Sequence, residues 1–437
     1  MERIWDLVRE IDSLLPTDPL NPSDLTVEGT PGFSSAFDVD GAALATAGFA
    51  NLVFGAPVVN PDRLRTFLLA DVDVDGSPVP KWATLSGYYD TADGRNMQLH
   101  CNFPQHGDGV VSLLGCEPTR QSVQAAILNW DPLELEGALI DAGMIGAYIR
   151  TIDEWNEHPH ALATADLPLI SVEQIGEAEP RHAPVDDGLT SQRVLDCSRV
   201  LAGPVAGQLF AAHGADVLRI DSPTLPSVDV CVMTTGGGKR NAHLDLRNRD
   251  DATTFQTLLD TSDIWIDAYR PGGLAGLGFA ADAISPGGVV AQLSAFDWVG
   301  PWAGRRGFDS IVQSTTGIVS AGARAASSNT PTPLPVQALD FMTGFIAAAA
   351  AERMRQHQRK HGGTWLVRSS LLRTRNWLLS LGGPKPFTPS APQRSDHHRT
   401  TMQSSFGSLT VPLPISGSIT HAAEHLGTGL AAWGLRS

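Results

Sequence analysis

The stretch RVLDCSRVLAGPVAGQLFAAHGADVLRID spans residues 193–221 and decides the fold. RVLDC predicts a short strand, AGPVAGQLFAAHG predicts a helix that ends at a glycine, and ADVLRID predicts a second apolar strand. A strand, a helix and a strand within about 30 residues form a βαβ unit, which places the two strands parallel in one sheet. The stretch therefore predicts an α/β domain.

The alternation of strands and helices continues towards the C-terminus. Further strands are predicted at DIWIDAY (263–269), GVVAQLS (288–294) and TWLVRSS (364–370). Further helices are predicted at 308–317, from 341 to about 358, and up to residue 381. We expect a doubly wound, Rossmann-like large domain with a parallel sheet over residues 188–382.

The remaining sequence predicts three smaller parts. Residues 1–80 form an N-terminal segment to which we assign no chemistry, and residues 81–187 form a small α+β domain with its linker. Within that domain, a helix is expected to begin at Asp131-Pro132 and to close at Gly143. Residues 383–437 are interpreted as a linker and a tail that packs on the small domain.

Composition limits the possible partners. The 437 residues contain 31 Lys and Arg against 47 Asp and Glu, a formal net charge of −16. This charge argues against a nucleic-acid or anionic-membrane binder, although a few local cations could still bind phosphates. No apolar run is long enough for a membrane span, the N-terminus lacks a signal peptide, and the four cysteines form no CxxC pair. We therefore expect a cytoplasmic protein.

The first βα turn, AGPVAG (202–207), permits two interpretations. Its glycines let backbone N–H groups approach an anionic ligand at a helix N-terminus, or they simply allow close packing of helix and strand. Asp221, at the end of the second strand, could mimic the ribose-binding acid of a dinucleotide site. The absence of GxGxxG and the missing N–H of Pro204 argue against NAD.

Basic residues follow several predicted strands. Lys239 and Arg240 lie beside three glycines, which suits contact with a phosphate or carboxylate but also suits a solvated turn. Arg270 follows the strand DIWIDAY, where ligands of parallel sheets gather, or it belongs to an ordinary surface turn. Arg305 and Arg306 add two further cations. The histidines have no ligand spacing, and we expect no metal site.

The segment ALDFMTGFIAAAAAERM (338–354) contains a carboxylate at a predicted helix start. Met342, Phe345 and Ile346 form an apolar stripe, so the helix is expected to begin near Phe341 with Asp340 as its N-cap. Asp340 is then either an ordinary cap, worth about 1 kcal/mol, or a nucleophile that the positive helix end keeps ionised.

Together these segments resemble the large domain of the family III CoA-transferases, which include formyl-CoA transferase, carnitine CoA-transferase and α-methylacyl-CoA racemase. The resemblance covers about 190 residues in the family's order, and residues 86–175 resemble the family's small domain, which here precedes the large one. It implies a rearranged or fused chain, a homodimer, and acyl-CoA and carboxylic acid substrates, with coenzyme A as the transferred group and no metal.

The resemblance also implies roles for individual residues. The catalytic aspartate nucleophile of the family falls on Asp340. The positions that contact coenzyme A fall on Leu201, Ala202, Leu244, Arg247, Ala268, Tyr269, Arg270 and Arg306. Two positions depart from the family's pattern, because Ser222 and Gly276 stand where basic residues are usual.

Three functions remain to be compared. The first is transfer of coenzyme A through a covalent aspartyl intermediate. The second is racemisation of a 2-methylacyl-CoA, which is less favoured because Phe308 replaces the histidine that the racemases place before the Asp of GFD. The third is a CoA-binding paralogue without activity, suggested by Ser222, Gly276 and the short segment between Ser222 and Gly236.

Overall fold

The computed structural model describes residues 1–181 and 189–434. Its α-helices are α1 (Glu2–Asp12), α2 (Val39–Val53), α3 (Pro61–Leu69), α4 (Pro104–Leu114), α5 (Arg120–Ile127), α6 (Pro132–Asp141), α7 (Ile152–Asn156), α8 (Pro159–Thr164), α9 (Ala202–Ala212), α10 (Asp229–Thr235), α11 (Arg249–Asp260), α12 (Asp309–Thr315), α13 (Ile318–Ala325), α14 (Ala338–His361) and α15 (Leu371–Ser380).

Its strands are β1 (Thr26–Val27), β2 (Val58–Val59), β3 (Asp73–Val74), β4 (Ser77–Pro78), β5 (Gly87–Asp90), β6 (Asn96–Leu99), β7 (Gly146–Tyr148), β8 (Ser171–Gly176), β9 (Arg193–Cys197), β10 (Asp216–Asp221), β11 (Arg240–His243), β12 (Ile264–Asp267), β13 (Val289–Ser294), β14 (Thr364–Ser370), β15 (Arg399–Ser404) and β16 (Gly407–Pro412). Within the two described ranges, no helix combines the length and the apolarity that crossing a membrane requires.

The largest sheet has the strand order β11-β10-β9-β12-β13-β14-β8. Every pairing from β11 to β14 is parallel, whereas β8 runs antiparallel to β14. Numbered along the chain, the parallel strands follow the order 3-2-1-4-5-6 of doubly wound folds. The predicted α/β fold is confirmed. The direction of winding reverses between β9 and β12, which opens a crevice at their carboxyl ends.

Helices cover both faces of this sheet. All four residues of β12 are buried, as expected for a parallel strand with helices on either side. On one face, Val205 of α9 and Phe345 of α14 belong to the largest apolar core. On the other face, Phe255 of α11 packs edge-on against Trp265, with ring centroids 6.2 Å apart. The sheet is therefore a rigid platform for residues at its edge.

The N-terminal segment covers α14. Phe67 of α3 packs edge-on against Phe341 of α14, with ring centroids 5.4 Å apart. At the other end of the helix, Arg353 forms an ion pair of 3.3 Å with Asp12 of α1. Residues of α1, α2 and α3 belong to the same apolar core as the parallel sheet, so this segment stabilises the helix that carries Asp340.

A smaller antiparallel sheet, β5-β6-β7, forms a core of its own with α5 and α6. Met97 and Val123 are completely buried in this core. Asp131 accepts hydrogen bonds from the backbone N–H groups of Leu133 and Glu134, as the predicted cap of α6 should.

Two segments lie elsewhere than the sequence predicts. Residues 171–176, assigned to the small domain and its linker, form the edge strand β8 of the main sheet. The linker prediction also covers residues 182–188, which lie outside the described residues. The tail, expected on the small domain, pairs through β16 with β3 and covers α10, where Leu409 packs near Val230. The apolar residues of the tail therefore pack against α10.

The start of α14 also differs from the prediction. The helix begins at Ala338 with Gln337 as its N-cap, so Asp340 lies inside the first turn and is not the N-cap. Its backbone N–H donates a hydrogen bond of 2.9 Å to Oδ2 of Asp309. Because another helix supplies this acceptor, α14 does not need the carboxylate of Asp340 as a cap.

Candidate active site

A cleft of about 440 Å³ lies at the carboxyl ends of the parallel strands. Its lining includes residues that follow five of these strands, namely Ala202 after β9, Ser222 after β10, Leu244 after β11, Ala268 after β12 and Ala295 after β13. The cleft thus occupies the switch point of the sheet, where doubly wound folds bind their ligands.

Most residues that the sequence singled out meet in this cleft. Lining it are Ala202, Leu244, Arg247, Ala268, Tyr269, Arg270, Arg306 and Asp340. Leu201 does not line it, because its side chain is buried in the main apolar core. The two positions that depart from the family's pattern lie in different places. Ser222 lines the cleft, whereas Gly276 does not.

The glycines of the first βα turn allow close packing. A Cβ atom added to Gly203 would lie 2.8 Å from the Cβ of Ala268, and one added to Gly207 would lie 2.9 Å from Nζ of Lys239. A side chain at Gly203 would push α9 away from the sheet, and one at Gly207 would disturb the buried pair of Asp196 and Lys239. The packing interpretation of AGPVAG is therefore supported, and the close approach also brings the start of α9 to the cleft.

Asp340 enters the cleft from the first turn of α14 and is only 7% exposed. Burial raises its pKa well above the usual value for an aspartate, and the nearby carboxylate of Asp309 raises it further. A hydrogen bond from the backbone N–H of Ala202 and the positive end of α14 act in the opposite direction. The result is a basic carboxylate that becomes a strong nucleophile once it is ionised.

Asp309 holds the backbone beneath Asp340. It is completely buried, and besides the N–H of Asp340 it accepts a hydrogen bond from the side-chain amide of Gln313. Gln313 in turn accepts one of 2.8 Å from the backbone N–H of Leu334. Burial raises the pKa of Asp309 to about 6. Sequence reasoning missed this positioning residue, because an aspartate at a helix start carries no sign of a partner 31 residues away.

Four arginines line the cleft: Arg199, Arg247, Arg270 and Arg306. Arg306 donates a hydrogen bond of 2.9 Å to the carbonyl of Gly143. Burial lowers the pKa of Arg306, and the positive charges of Arg270 and Arg199 lower it further. An anionic ligand would relieve this repulsion, and guanidinium groups suit phosphates particularly well. A donor set of this kind could hold the phosphate groups of a ligand.

Lys239 and Arg240 do not face the cleft. Lys239 is buried, where its Nζ donates hydrogen bonds of 2.7 Å to Asp196 and 2.6 Å to the carbonyl of Pro204. Arg240 pairs with Asp216 at 2.5 Å. Lys239 is thus neither a phosphate contact nor part of a solvated turn. A buried lysine needs a compensating carboxylate, and Asp196 supplies it.

Two further charged residues from the sequence analysis have structural partners. Asp221 forms an ion pair of 2.6 Å with Arg219, although it also lines the cleft. Arg305 forms an ion pair of 3.1 Å with Glu136 of α6. Arg305 therefore joins the loop after β13 to α6, and of the two neighbours only Arg306 lines the cleft.

Aromatic side chains complete the cleft. Phe308, which stands at the position of the racemase histidine, lines it and stacks on Phe103 with ring centroids 6.0 Å apart. In the part of the chain that the structure describes, no three His, Cys, Asp or Glu side chains form a group that could hold a metal ion.

Part of this chain matches a known protein family. A sequence model described as CoA-transferase family III matches residues 189–406. The chain is 25% identical over 232 residues to an acetyl-coenzyme A transferase of Hypoxylon pulicicidum, covering 52% of this chain and 36% of that protein. It is 28% identical over 226 residues to a succinate–glutarate CoA-transferase of Agrobacterium fabrum, covering 45% and 56%. The chain thus spans between 36% and 56% of the length of these two relatives.

Solved structures show the same kind of partial similarity. A CAIB/BAIF family protein from Brucella suis aligns with a TM-score of 0.41 and 23% identity, covering 50% of this chain and 64% of that one. A Mycobacterium tuberculosis protein aligns with a TM-score of 0.38 and 24% identity, covering 44% and 57%.

Proposed function

Residues 189–406 of this chain belong to CoA-transferase family III, and on that basis we propose that the protein transfers coenzyme A from an acyl-CoA thioester to a carboxylic acid, with Asp340 as the covalent nucleophile. One observation carries the proposal. The backbone of Asp340 is fixed by Asp309, while its carboxylate remains free to line a cleft at the switch point of the sheet.

The cleft supplies what an acyl-CoA thioester requires. Arg247 and Arg270 are exposed and Arg306 lies further in, so the three cations can follow the phosphates of coenzyme A. Phe308 and Leu371 line the cleft together with Asp340, and apolar side chains there would limit the access of water that could hydrolyse a covalent intermediate.

The proposed reaction begins with Asp340 as a carboxylate. One of its oxygens attacks the thioester carbonyl carbon, a C–O bond forms, the C–S bond breaks, and coenzyme A leaves as a thiolate. The thiolate then attacks the carbonyl carbon of Asp340 in the mixed anhydride, and the acyl group leaves as a free carboxylate. Asp340 now carries coenzyme A as a thioester. The acceptor carboxylate reverses these two steps and restores the side chain of Asp340.

Backbone groups near Asp340 can stabilise the oxyanions of these steps. The N–H of Ala202 lies close enough to bond the Asp340 carboxylate, and it stands at the positive end of α9. Preorganised donors of this kind are worth roughly 2.7–4 kcal/mol each in acyl-transfer enzymes. Ala202 would therefore act through its backbone, which its small side chain leaves accessible.

Phe308 favours transfer over racemisation. Racemisation needs an acid or base on each side of the α-carbon, and a phenyl ring at this position provides neither. Ser222 and Gly276 stand where the family usually has basic residues. The four arginines in the cleft still supply positive charge for binding coenzyme A.

The test is to incubate the protein with an acyl-CoA and a second carboxylic acid and to measure the new acyl-CoA by liquid chromatography. We expect transfer by the wild type, loss of at least about 1,000-fold in Asp340→Ala, and retained binding of coenzyme A by calorimetry. Solvent deuterium at the α-carbon without a new thioester would indicate racemisation instead. Tight binding without either reaction across a broad acyl panel would indicate a binding protein.

We also propose a homodimer, on the strength of the family resemblance. Light scattering after size-exclusion chromatography should give about twice the chain mass of 46.4 kDa. A monomer that transfers coenzyme A at full rate would show that the dimer is not needed.

A further inference from the structure

A buried ion pair that the proposed mechanism does not use joins Asp297 to Arg373. Asp297 belongs to the loop after β13, and Arg373 lies in the first turn of α15. The two side chains are only 2% and 5% exposed. A buried charge that loses its partner is costly, so neither segment can move away from the other on its own.

The guanidinium of Arg373 connects more than these two segments. It donates hydrogen bonds to Asp297 through Nε and, at 3.0 Å, through Nη2. Nη1 donates one of 2.9 Å to Oγ of Ser171 at the start of β8. Asp297 also accepts a hydrogen bond of 3.0 Å from Oγ of Ser370, the last residue of β14. The planar fork of an arginine suits this set of acceptors better than the single point charge of a lysine.

The backbone of Asp297 is held in an uncommon conformation. Its φ is +71°, in the left-handed region that residues other than glycine seldom occupy. Burial opposes the ionisation of Asp297, but the hydrogen bond and the charge of Arg373 outweigh burial and lower the pKa of Asp297. Surrounding contacts are needed to maintain a backbone conformation of this kind, and such residues cluster at functional sites.

The ion pair stands next to two residues of the cleft wall. Leu371, two residues before Arg373, lines the cleft, and so does Ala295, two residues before Asp297. The backbone N–H of Leu372 donates a hydrogen bond of 3.1 Å to the carbonyl of Ala295. The start of α15 therefore cannot shift against the loop after β13 without breaking both this bond and the ion pair.

A further hydrogen bond brings Leu371 to the side of Asp340. Thr343 of α14 and Thr374 of α15 are completely buried, and their hydroxyl oxygens are 2.6 Å apart. Thr343 follows Asp340 by three residues, and Thr374 follows Leu371 by three. Residues three apart share one face of a helix. Since Asp340 and Leu371 both line the cleft, α14 and α15 begin there side by side.

Little room is left beside the carboxylate of Asp340. Leu371 is 5% exposed and belongs to the main apolar core, and Asp340 itself is 7% exposed. An acyl group whose carbonyl carbon meets the carboxylate of Asp340 would therefore contact the side chain of Leu371.

We propose that Asp297 and Arg373 are positioning residues, which hold Leu371 beside Asp340, and that Leu371 thereby limits the size of the acyl group that the cleft accepts. The ion pair contacts no substrate and acts only through Leu371. This inference rests on the proposed function, because it concerns the acyl group that Asp340 would receive.

The test compares acetyl-CoA with octanoyl-CoA, which differ only in the length of an unbranched acyl chain. Values of kcat/KM are measured with one acceptor acid for wild type, Leu371→Ala and Arg373→Met. We expect the wild type to favour acetyl-CoA. Leu371→Ala should shift the ratio towards octanoyl-CoA by about 10-fold or more, because the missing carbons make room for the longer chain. Arg373→Met should shift the ratio in the same direction.

Two further variants separate positioning from a general loss of structure. If Arg373 acts through Leu371, adding Arg373→Met to Leu371→Ala should change the ratio by less than about 2-fold. The matched control is Arg399→Met. Arg399 is also 5% exposed and pairs with Asp73, but it lies in the sheet β15-β16-β3-β4, whose residues do not line the cleft. This variant should keep the wild-type ratio.

The outcomes distinguish this inference from the proposed function. The positioning role is overturned if the wild type uses octanoyl-CoA as well as acetyl-CoA, if Leu371→Ala or Arg373→Met leaves the ratio unchanged, or if Arg399→Met shifts it equally. Transfer itself then still stands. Circular dichroism checks folding, and Arg373→Lys, which keeps the charge without the fork, replaces Arg373→Met if that variant does not fold.

A wild type that transfers neither acyl group would contradict the proposed function. Dissociation constants of the two thioesters, measured by calorimetry in the same variants, then decide the positioning role by the same ratio. If neither thioester binds, both proposals fail.

Discussion

Oδ2 of Asp309 accepts a hydrogen bond of 2.9 Å from the backbone N–H of Asp340. The first turn of a helix has N–H groups without partners inside the helix, and an aspartate there often uses its own side chain to bond one of them. Asp309, from α12, takes over this task for α14. The carboxylate of Asp340 is left to face the cleft, and the negative charge of Asp309 nearby makes it more basic.

The first prediction concerns the pH dependence of transfer. Only the ionised form of Asp340 attacks the thioester, so kcat/KM should rise with pH as the carboxylate pair loses its protons. Asp309→Asn keeps an oxygen that can accept the N–H of Asp340 but removes the neighbouring negative charge. Because that charge raises the pKa of Asp340, we expect the rising limb of the pH profile to move to lower pH in this variant.

Asp309→Ala is the matched control, because it removes both the charge and the acceptor. It should lower kcat by about 10-fold or more, since the first turn of α14 is no longer held in place. An unshifted pH profile in Asp309→Asn would show that Asp309 does not influence the ionisation of Asp340.

The second prediction concerns stability. Folding raises the pKa of Asp340 above the ordinary value of 3.8. Between pH 3.8 and the folded pKa, Asp340 is therefore protonated in the native state but ionised in the unfolded state. Stability attributed to protonated Asp340 is therefore complete at low pH and is lost as pH rises through the folded pKa. Asn cannot ionise. We expect Asp340→Asn to melt within about 1 °C of the wild type near pH 4 and at least about 2 °C higher at pH 8. The same difference at both pH values would contradict the raised pKa.

The third prediction concerns the three arginines assigned to the phosphates. Substituting Met for Arg247, Arg270 or Arg306 should raise KM for an acyl-CoA by about 10-fold, because each substitution removes a guanidinium that would contact a phosphate. The matched comparison is an acyl-pantetheine, which carries the same thioester without the nucleotide. Steady-state kinetics should show little change in its KM, and equal losses for both substrates would place these arginines away from the phosphates.

The fourth prediction concerns the junction between α6 and the loop after β13, where Arg305 lies. Glu136 is buried and forms ion pairs with Arg150 and with Arg305. Burial opposes its ionisation, but the hydrogen bond from Arg150 and the two positive charges outweigh burial and lower its pKa. Glu136→Gln leaves two buried cations without compensation, so urea unfolding should show a loss of about 3 kcal/mol.

Glu154 provides the control for Glu136. It pairs with Arg95 at 2.7 Å, but its side chain is 45% exposed. Because solvent screens such a pair, Glu154→Gln should cost less than about 1 kcal/mol. Similar losses in the two variants would mean that the junction does not depend on the buried charges.

The sequence predicts those features that a short window of residues determines. The strands and helices of the large domain follow from apolar runs bounded by glycines, and their order at 193–221 and beyond leads to the doubly wound sheet. The residues placed after strand ends, such as Ala202 and Arg270, meet in the cleft because all parallel strands end at one edge.

Features that depend on distant partners could not be predicted in this way. The bond between Asp309 and Asp340 joins residues 31 apart, and that between Asp196 and Lys239 joins residues 43 apart. Nothing in the local sequence distinguishes a lysine in a buried ion pair from one on a solvated turn.

The central claim is tested most directly by mass spectrometry of the protein incubated with an acyl-CoA, quenched and digested. We expect the peptide that contains Asp340 to gain the mass of coenzyme A less one water, and the gain to vanish when an acceptor carboxylic acid is added or when residue 340 is changed to Asn. Transfer at the wild-type rate in Asp340→Asn, or an adduct on a different peptide, would contradict the account.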